Sequence, residues 1–309
     1  MDKSNIKKPT IGFEILMLLI ISVSLLGWIN YANALASTAN QSNTQSNNTS
    51  ISSDLVTPNG TLSLSNNTFP LQREEVNYYD NVSGYLVFPE NNSTTDSSTD
   101  HTKLPAVVMI HEWWGLNDNI KNMADELAKE GYIVLAVDLY NGQVATSPDQ
   151  AMKLVNLARE NQNESLSNLK AAVSYLKTLD NVNASKIAAF GWCFGGGQAL
   201  QLALNSNIDS PLAATILYYG NLVTDQEQLS KITGPVLGIF GGQDQSIPTT
   251  DVQKFEDALN ANNITNEIYV YEGVGHAFAN PTGASFAPDE LKNAWHKTLE
   301  FLNKNLKDN

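Results

Sequence analysis

Apolar stretches of two kinds follow one another from residue 104 to the end of the chain. Some are short and apolar throughout, such as Leu104–Ile110, Tyr132–Val137 and Pro235–Phe240, which is typical of strands buried on both faces of a sheet. Others have apolar residues every three or four positions, as in 117–130 and 288–306, and predict amphipathic helices. Strands that alternate with helices form mainly parallel sheets through right-handed crossovers. The pattern therefore predicts an α/β fold, with helices on both faces of a mainly parallel central sheet.

The same domain extends toward the N-terminus. Residues 74–89 alternate apolar and polar side chains around Asp80-Asn81, which predicts a β-hairpin. We therefore expect one α/β domain over 71–309, without internal repeats. Further strands are predicted over 186–190, 213–219 and 267–271, and further helices over 148–160, 165–179, 198–204 and around 255–259.

The N-terminus has a different pattern. Three lysines precede an apolar run over 15–29, and Ala34–Ala36 has the small residues of a signal-peptidase site. These features predict an export signal over 1–36 and an extracellular or cell-surface protein. The alternative is an uncleaved membrane anchor, although the run is shorter than the roughly 20 residues that a spanning helix needs.

Residues 37–70 are rich in Ser, Asn, Thr and Gln and contain few large apolar side chains. Such a segment cannot bury enough apolar surface to fold, so we predict a disordered linker. Acceptor sequences for N-glycosylation suit an exported stalk, although a tract of this composition also forms them by chance. They begin at Asn40, Asn47, Asn48, Asn59, Asn66, Asn81, Asn91 and Asn92.

The charge balance of the chain argues against some classes of binding partner. The chain has 18 Lys and Arg against 32 Asp and Glu, a net charge of −14. A surface this acidic argues against nucleic acid or an anionic membrane as a partner. We expect a monomer that acts on a small molecule and contacts a membrane only through an uncleaved N-terminal segment.

The single cysteine lies at the most informative position of the chain. Gly191-Trp-Cys-Phe-Gly195 follows the predicted strand 186–190 and precedes the predicted helix 198–204. This is the pattern of a nucleophile elbow, with cysteine in place of serine. Glycines on both sides let strand and helix approach, and a helix N-terminus favours a thiolate. The alternative is an inert, buried cysteine.

A cysteine nucleophile needs a base, and the base needs an orienting partner. His276 lies in a Gly-flanked loop directly after a predicted strand, whereas His101 lies in a polar loop and His296 in the last helix. Asp244 lies in a Gly-rich turn after the preceding strand, where capping the turn is its alternative role. Because the carboxyl ends of parallel strands meet at one edge of a sheet, we expect Cys193, Asp244 and His276 to lie together.

Glu112 adds a second carboxylate, directly after the first buried strand. Between a histidine and two tryptophans it would be poorly solvated, so we expect a raised pKa and proton exchange with Cys193. The backbone N–H groups of Trp113 and Phe194 are candidate donors to an oxyanion. The alternative for Trp113 and Trp114 is a structural aromatic cap on the sheet.

Taken together, these residues resemble those of the dienelactone hydrolases, a family with the α/β-hydrolase fold. The resemblance implies that Cys193, Asp244 and His276 form a triad that cleaves ester or lactone bonds through an acyl-thioester. It also implies that Glu112 contacts the cysteine in the resting enzyme and helps generate the thiolate once substrate displaces it. The matching sequences are His111–Gly115, Asp138–Tyr140, Gly191–Gly196, Gly241–Asp244 and Gly275–Phe278.

Two departures from the family pattern change the expected substrate. Family members that open dienelactones hold the substrate carboxylate with two arginines. Here Asn280 occupies the first place, and Thr146–Lys153 contains no arginine at the second. Because a bidentate anchor for a carboxylate is missing, we expect a neutral ester or lactone. The expected substrate-binding residues are Trp114, Tyr140, Phe278 and Asn280, with Trp113 beside them.

We expect neither a cofactor nor a metal. The alternative function is a non-catalytic cell-surface module that keeps the scaffold and binds ligands in the cleft. A thiol redox sensor would lack a resolving cysteine within the chain.

Overall fold

An eight-stranded sheet organises the part of the chain that the computed structural model describes, which is residues 63–65, 67, 69–90, 103–206 and 211–307. The strands are β1 (Leu71–Tyr79), β2 (Val82–Pro89), β3 (Leu104–Ile110), β4 (Ile133–Val137), β5 (Val182–Trp192), β6 (Ala214–Tyr218), β7 (Val236–Gly241) and β8 (Asn266–Tyr271). The helices are α1 (Asp118–Lys129), α2 (Pro148–Glu160), α3 (Gln162–Thr178), α4 (Phe194–Leu204), α5 (Gln226–Leu229), α6 (Thr249–Ala261) and α7 (Pro288–Leu306).

The strand order is β1-β2-β4-β3-β5-β6-β7-β8. The hairpin strands β1 and β2 pair antiparallel, and β2 joins β4 antiparallel. The other five pairs are parallel. The predicted hairpin and the mainly parallel sheet are both confirmed.

The apolar core lies on both faces of this sheet. On one face α3, α4 and α6 pack against alternate strand residues, and on the other α1 and α7 do so. Every residue of β4 and all but the first of β3 are buried, which explains why these segments are apolar throughout. The predicted α/β architecture is therefore confirmed.

The two elements around the elbow begin earlier than predicted, and one short helix was not predicted. The strand that feeds the elbow, β5, runs from Val182 rather than 186, and α4 begins at Phe194 rather than 198. The sequence concealed this helix start because three glycines in a first turn have low helix propensity. The four-residue α5 was not predicted, since so short a helix shows no periodicity.

The predicted signal over 1–36 and most of the predicted linker over 37–70 lie outside the described residues, and both stay predictions. Within the described part of the chain, no helix has the length and apolar character of a membrane span.

A short part of the predicted linker packs against the domain. The backbone N–H groups of Leu64 and Ser65 donate to Glu126 Oε2 at 2.6 and 2.7 Å. Glu126 is 2% exposed on α1 and also pairs with Lys129. Because two backbone donors converge on one buried carboxylate, the folded domain includes residues upstream of 71.

We expect Glu126→Ala to lower the free energy of unfolding by about 1–3 kcal/mol, since it leaves two backbone donors without an acceptor. Urea denaturation of the whole chain measures the effect. The matched control is Glu130→Ala, which removes an exposed bond from Asn67 Nδ2 and an electrostatic interaction with Lys307, and should change stability by less than about 0.5 kcal/mol. Equal effects of the two substitutions would contradict a specific role for Glu126.

Candidate active site

Cys193 lies in the tight turn between β5 and α4. Its backbone has φ 52° and ψ −117°, a conformation that residues other than glycine rarely adopt. A Cβ at Gly191 would lie 2.2 Å from the carbonyl oxygen of Gly195, and a Cβ at Gly195 would lie 2.3 Å from that of Ile110. Only glycine fits at these two positions, as the elbow pattern predicts.

The structure brings the three predicted triad residues together. His276, in the loop after β8, places Nε2 3.2 Å from Cys193 Sγ. Its Nδ1 lies 2.7 Å from Asp244 Oδ2, in the turn after β7. The three side chains therefore form one hydrogen-bonded chain from carboxylate to sulfur.

Asp244 has two roles at once. Its Oδ1 accepts the backbone N–H groups of Ser246 and Ile247 at 2.8 and 3.1 Å, which caps the turn. Its Oδ2 remains for His276. The turn-capping role and the orienting role, which the sequence left as alternatives, use different oxygens of one carboxylate.

The imidazole of His276 is placed to carry a positive charge. Burial lowers its pKa, but the electrostatic interaction with Cys193 and the hydrogen bond to Asp244 raise it more, so that its pKa lies well above the usual value. Because an ionised carboxylate only accepts hydrogen bonds, Nδ1 donates to Asp244 and Nε2 faces the sulfur. This arrangement can hold a proton beside the sulfur and return it.

Glu112 lies beside the triad, fully enclosed. Burial raises its pKa to about 7, and the charge of His276 and the hydrogen bonds from Asn280 and Tyr219 only partly oppose this. Tyr219 donates to Oε1 at 3.4 Å, and the Asn280 amide donates to Oε2. Among the described residues no hydrogen bond joins Glu112 to Cys193. The Glu112–Cys193 interaction that the resemblance implied for the resting enzyme is therefore not a hydrogen bond in this structure.

Two residues assigned to substrate binding have other surroundings. Asn280 is 4% exposed, with its amide on Glu112 and its Oδ1 on the backbone N–H and hydroxyl of Thr282. Phe278 is fully buried, with ring centroids 5.7 Å from Tyr219 and 5.4 Å from Tyr271. In this structure these side chains support Glu112 and Tyr219, because the loop after β8 turns them into the protein, and their assignment to substrate binding stays a prediction.

Tyr219 is a site residue that the sequence did not single out. It follows β6 directly with φ 37°, and its ring lies 5.1 Å from that of His276. The only signal was its position at the end of an apolar strand, where the carboxyl edge of the sheet forms the cleft.

An aromatic cluster borders the elbow on the other side. The half-buried rings of Trp113 and Trp114 meet edge to face at 4.9 Å and pack with Tyr140 and Phe194. Tyr140 is 4% exposed, and its hydroxyl has no hydrogen-bond partner in the described part of the chain. The backbone N–H groups of Trp113 and Phe194 likewise have none there.

Within residues 63–65, 67, 69–90, 103–206 and 211–307, no group of three or more His, Cys, Asp or Glu side chains is placed to hold a metal ion.

Comparison with known proteins identifies the family. The profile of the "Dienelactone hydrolase family" matches residues 93–306. A "Putative carboxymethylenebutenolidase" of Saccharolobus solfataricus is 30% identical over 265 residues, which cover 72% of this chain and 94% of that protein. The chain belongs to the dienelactone hydrolase family.

Solved structures agree with this membership. The crystal structure of a "Putative Dienelactone Hydrolase" from Klebsiella pneumoniae has a TM-score of 0.65 at 26% identity, over 77% of this hydrolase and 100% of that chain. A dienelactone hydrolase-like promiscuous phosphotriesterase from metagenomic libraries has a TM-score of 0.66 at 22% identity, over 76% and 98%, which supports the fold alone. The chain is thus a hydrolase of ester or lactone bonds with the α/β-hydrolase fold.

The pKa of Glu112 makes the stability of this hydrolase depend on pH. A glutamate titrates near 4.5 in the unfolded chain but at about 7 here, so folding favours the neutral form. The stability that the neutral form contributes is complete below pH 4.5 and is lost as pH rises to about 7. We expect Glu112→Gln, which stays neutral, to gain up to about 3 kcal/mol over the wild type across that interval.

Urea denaturation of both proteins at several pH values between 4 and 8 measures this difference, and the values at pH 4, where both side chains are neutral, are the internal control. A difference that stayed constant over the whole range would show that folding does not raise the pKa of Glu112.

Proposed function

We propose that this hydrolase cleaves neutral carboxylic esters or lactones through an acyl-thioester on Cys193. The observation that carries the proposal is the chain of hydrogen bonds from Asp244 through His276 to the sulfur. Nucleophile, base and orienting acid are the three groups that covalent acyl transfer requires.

In the proposed reaction, the sulfur of Cys193, as a thiolate, attacks the carbonyl carbon. The carbonyl oxygen takes the negative charge beside the N–H groups of Trp113 and Phe194. As the C–O bond breaks, His276 Nε2–H gives its proton to the alcohol oxygen, and an acyl-thioester remains. Water then attacks the thioester, His276 takes its proton, and the carboxylic acid leaves as the thiolate re-forms.

Glu112 acts in this proposal as a carboxylate held away from the sulfur. Its bonds to Tyr219 and Asn280 leave Cys193 paired with His276, which is the arrangement needed for attack. With a pKa of about 7, Glu112 changes protonation near neutrality, so its charge beside the imidazole changes in the same range. The charge of Glu112 thus changes the electrostatic field at the Cys193–His276 pair, and Glu112 itself does not contact the substrate.

The proposed substrate is neutral because the site offers a carboxylate little attraction. The residue at the place of the family's arginine, Asn280, is uncharged and already bonded to Glu112. The chain as a whole carries a net charge of −14, which repels anions at low salt. Trp113, Trp114 and Tyr140 supply apolar and aromatic surface beside the elbow.

We expect Cys193→Ala to reduce turnover of a 4-nitrophenyl ester by at least about 1,000-fold, because removing a triad nucleophile removes covalent catalysis. Initial rates measure the loss, and mass spectrometry of the quenched wild type should show one acyl group on the cysteine peptide. Cys193 is the only thiol in the sequence, so acylation by this route has one possible site. Unchanged turnover in Cys193→Ala would refute the mechanism.

We also expect a neutral ester, 4-nitrophenyl butyrate, to have a kcat/KM at least about tenfold above that of the anionic 4-nitrophenyl hemisuccinate at low salt. Added salt should reduce the ratio of the two kcat/KM values, because it screens the repulsion between the acidic protein and the anionic ester. The measurement is kcat/KM for both esters at two ionic strengths.

The variant Arg159→Gln provides the critical control, because the positive charge of Arg159 interacts electrostatically with Tyr140, one of the aromatic residues beside the elbow. Arg73→Gln is its match, because that guanidinium pairs with Asp125 instead. A preference for the anionic ester that Arg159→Gln abolishes and Arg73→Gln preserves would show that Arg159 anchors a carboxylate, and the neutral-substrate proposal would fail.

A further inference from the structure

His111 is a fully buried histidine that the proposed mechanism does not use. It lies between the end of β3 and Glu112, with no exposed surface. Its Nδ1 lies 2.6 Å from the carbonyl oxygen of Glu112, and its Nε2 lies 3.1 Å from the backbone nitrogen of Leu139, in the loop after β4. Both ring nitrogens therefore have backbone partners on two different loops of the cleft.

These partners fix which nitrogen carries the proton. The Leu139 N–H can only donate, so Nε2 accepts and Nδ1–H donates to the Glu112 carbonyl. Burial lowers the pKa of His111, against the hydrogen bond to the Glu112 carbonyl and the charge of Asp138, so the ring stays neutral. A neutral ring satisfies both partners with one donor and one acceptor.

The bond to Glu112 also fixes the next peptide group. In a trans peptide the C=O and the N–H lie on opposite edges of one plane. Holding the Glu112 carbonyl against His111 therefore turns the Trp113 N–H to the opposite side. Apart from His111, this carbonyl accepts only the Gly115 N–H, at 3.4 Å, among the hydrogen bonds of the described residues.

This peptide lies next to the elbow. A Cβ at Gly195 would lie 2.5 Å from the carbonyl oxygen of His111, so the end of β3 touches the first turn of α4. The ring centroids of His111 and Phe194 are 6.0 Å apart. His111 thus bonds the peptide group that carries the Trp113 N–H, and its ring lies beside that of Phe194.

We propose that His111 is a positioning residue that holds the Trp113 N–H toward the oxyanion of the acyl-transfer step. The inference rests on the proposed function, in which Trp113 and Phe194 supply the two donors. His111 acts through the Glu112–Trp113 peptide and does not touch the substrate. Without His111, the Glu112 carbonyl keeps only the long hydrogen bond from the Gly115 N–H. The peptide can then rotate and turn the Trp113 N–H away from the oxyanion.

The test compares His111→Leu with His111→Gln in the whole protein. Leucine is apolar and bonds neither partner, whereas glutamine can donate to the Glu112 carbonyl and accept from the Leu139 N–H. Loss of one oxyanion donor typically costs about 100- to 1,000-fold in kcat, so we expect His111→Leu to lose at least about tenfold in kcat for 4-nitrophenyl butyrate, with little change in KM. His111→Gln should recover kcat to within a few-fold of the wild type.

Alkylation of Cys193 by iodoacetamide separates positioning of the donor from general damage. His111→Leu should alkylate at the wild-type rate, since the Cys193–His276 pair does not involve His111. Wild-type kcat in His111→Leu, or a parallel loss of kcat and alkylation rate, would overturn the inference. So would an equal loss of kcat in the glutamine variant.

A second measurement does not depend on the variants folding. A trifluoromethyl ketone forms an anionic adduct with an active-site thiolate, and the amide protons of Trp113 and Phe194 should then both shift downfield in the NMR spectrum. A shift at Phe194 alone would exclude Trp113 as a donor and overturn the inference. Absence of Cys193-dependent turnover in the wild type would instead refute the proposed function itself, and the inference with it.

Discussion

The site depends on the close contact between the elbow and the end of β3. Backbone atoms of Gly191, Gly195 and Ile110 approach so closely that a Cβ at either glycine would overlap a carbonyl oxygen. This contact holds Cys193 at φ 52° and ψ −117°, a conformation that costs about 1–3 kcal/mol and persists only where its surroundings enforce it. The parallel ladders on both sides of β5 enforce it here. The same contact places the loop after β3 beside the first N–H groups of α4.

Polar groups around the elbow serve structure and chemistry together. Asp244 caps its own turn with one oxygen and orients His276 with the other. His111 joins the loops after β3 and β4 through its two ring nitrogens. A buried polar group without a partner is costly, so each of these bonds stabilises the loops that carry the reactive side chains. The cleft is thereby organised before any substrate binds.

A single neutral side chain changes the electrostatics of the site. Asn280 donates to Glu112 but brings no positive charge, so burial prevails and the pKa of Glu112 rises to about 7. His276 behaves oppositely, because the sulfur of Cys193 and Asp244 outweigh its burial. The pKa values of Glu112 and His276, two titratable groups in one cluster, are thus raised for different reasons. The uncharged Asn280 thus leaves the protonation of Glu112 to be set mainly by its burial.

The sequence by itself predicted the α/β fold and the meeting of Cys193, Asp244 and His276, since both depend on local patterns. Runs of apolar and β-branched residues mark the strands, and Cys193, Asp244 and His276 each follow the end of one, where parallel strands bring their loops to one edge. Only the tertiary structure decided which way the surrounding side chains turn. Asn280 meets Glu112 across 168 positions of the chain, and Phe278 lies inside the core although its loop borders the cleft. Such contacts join elements that are remote in sequence, so no local pattern records them.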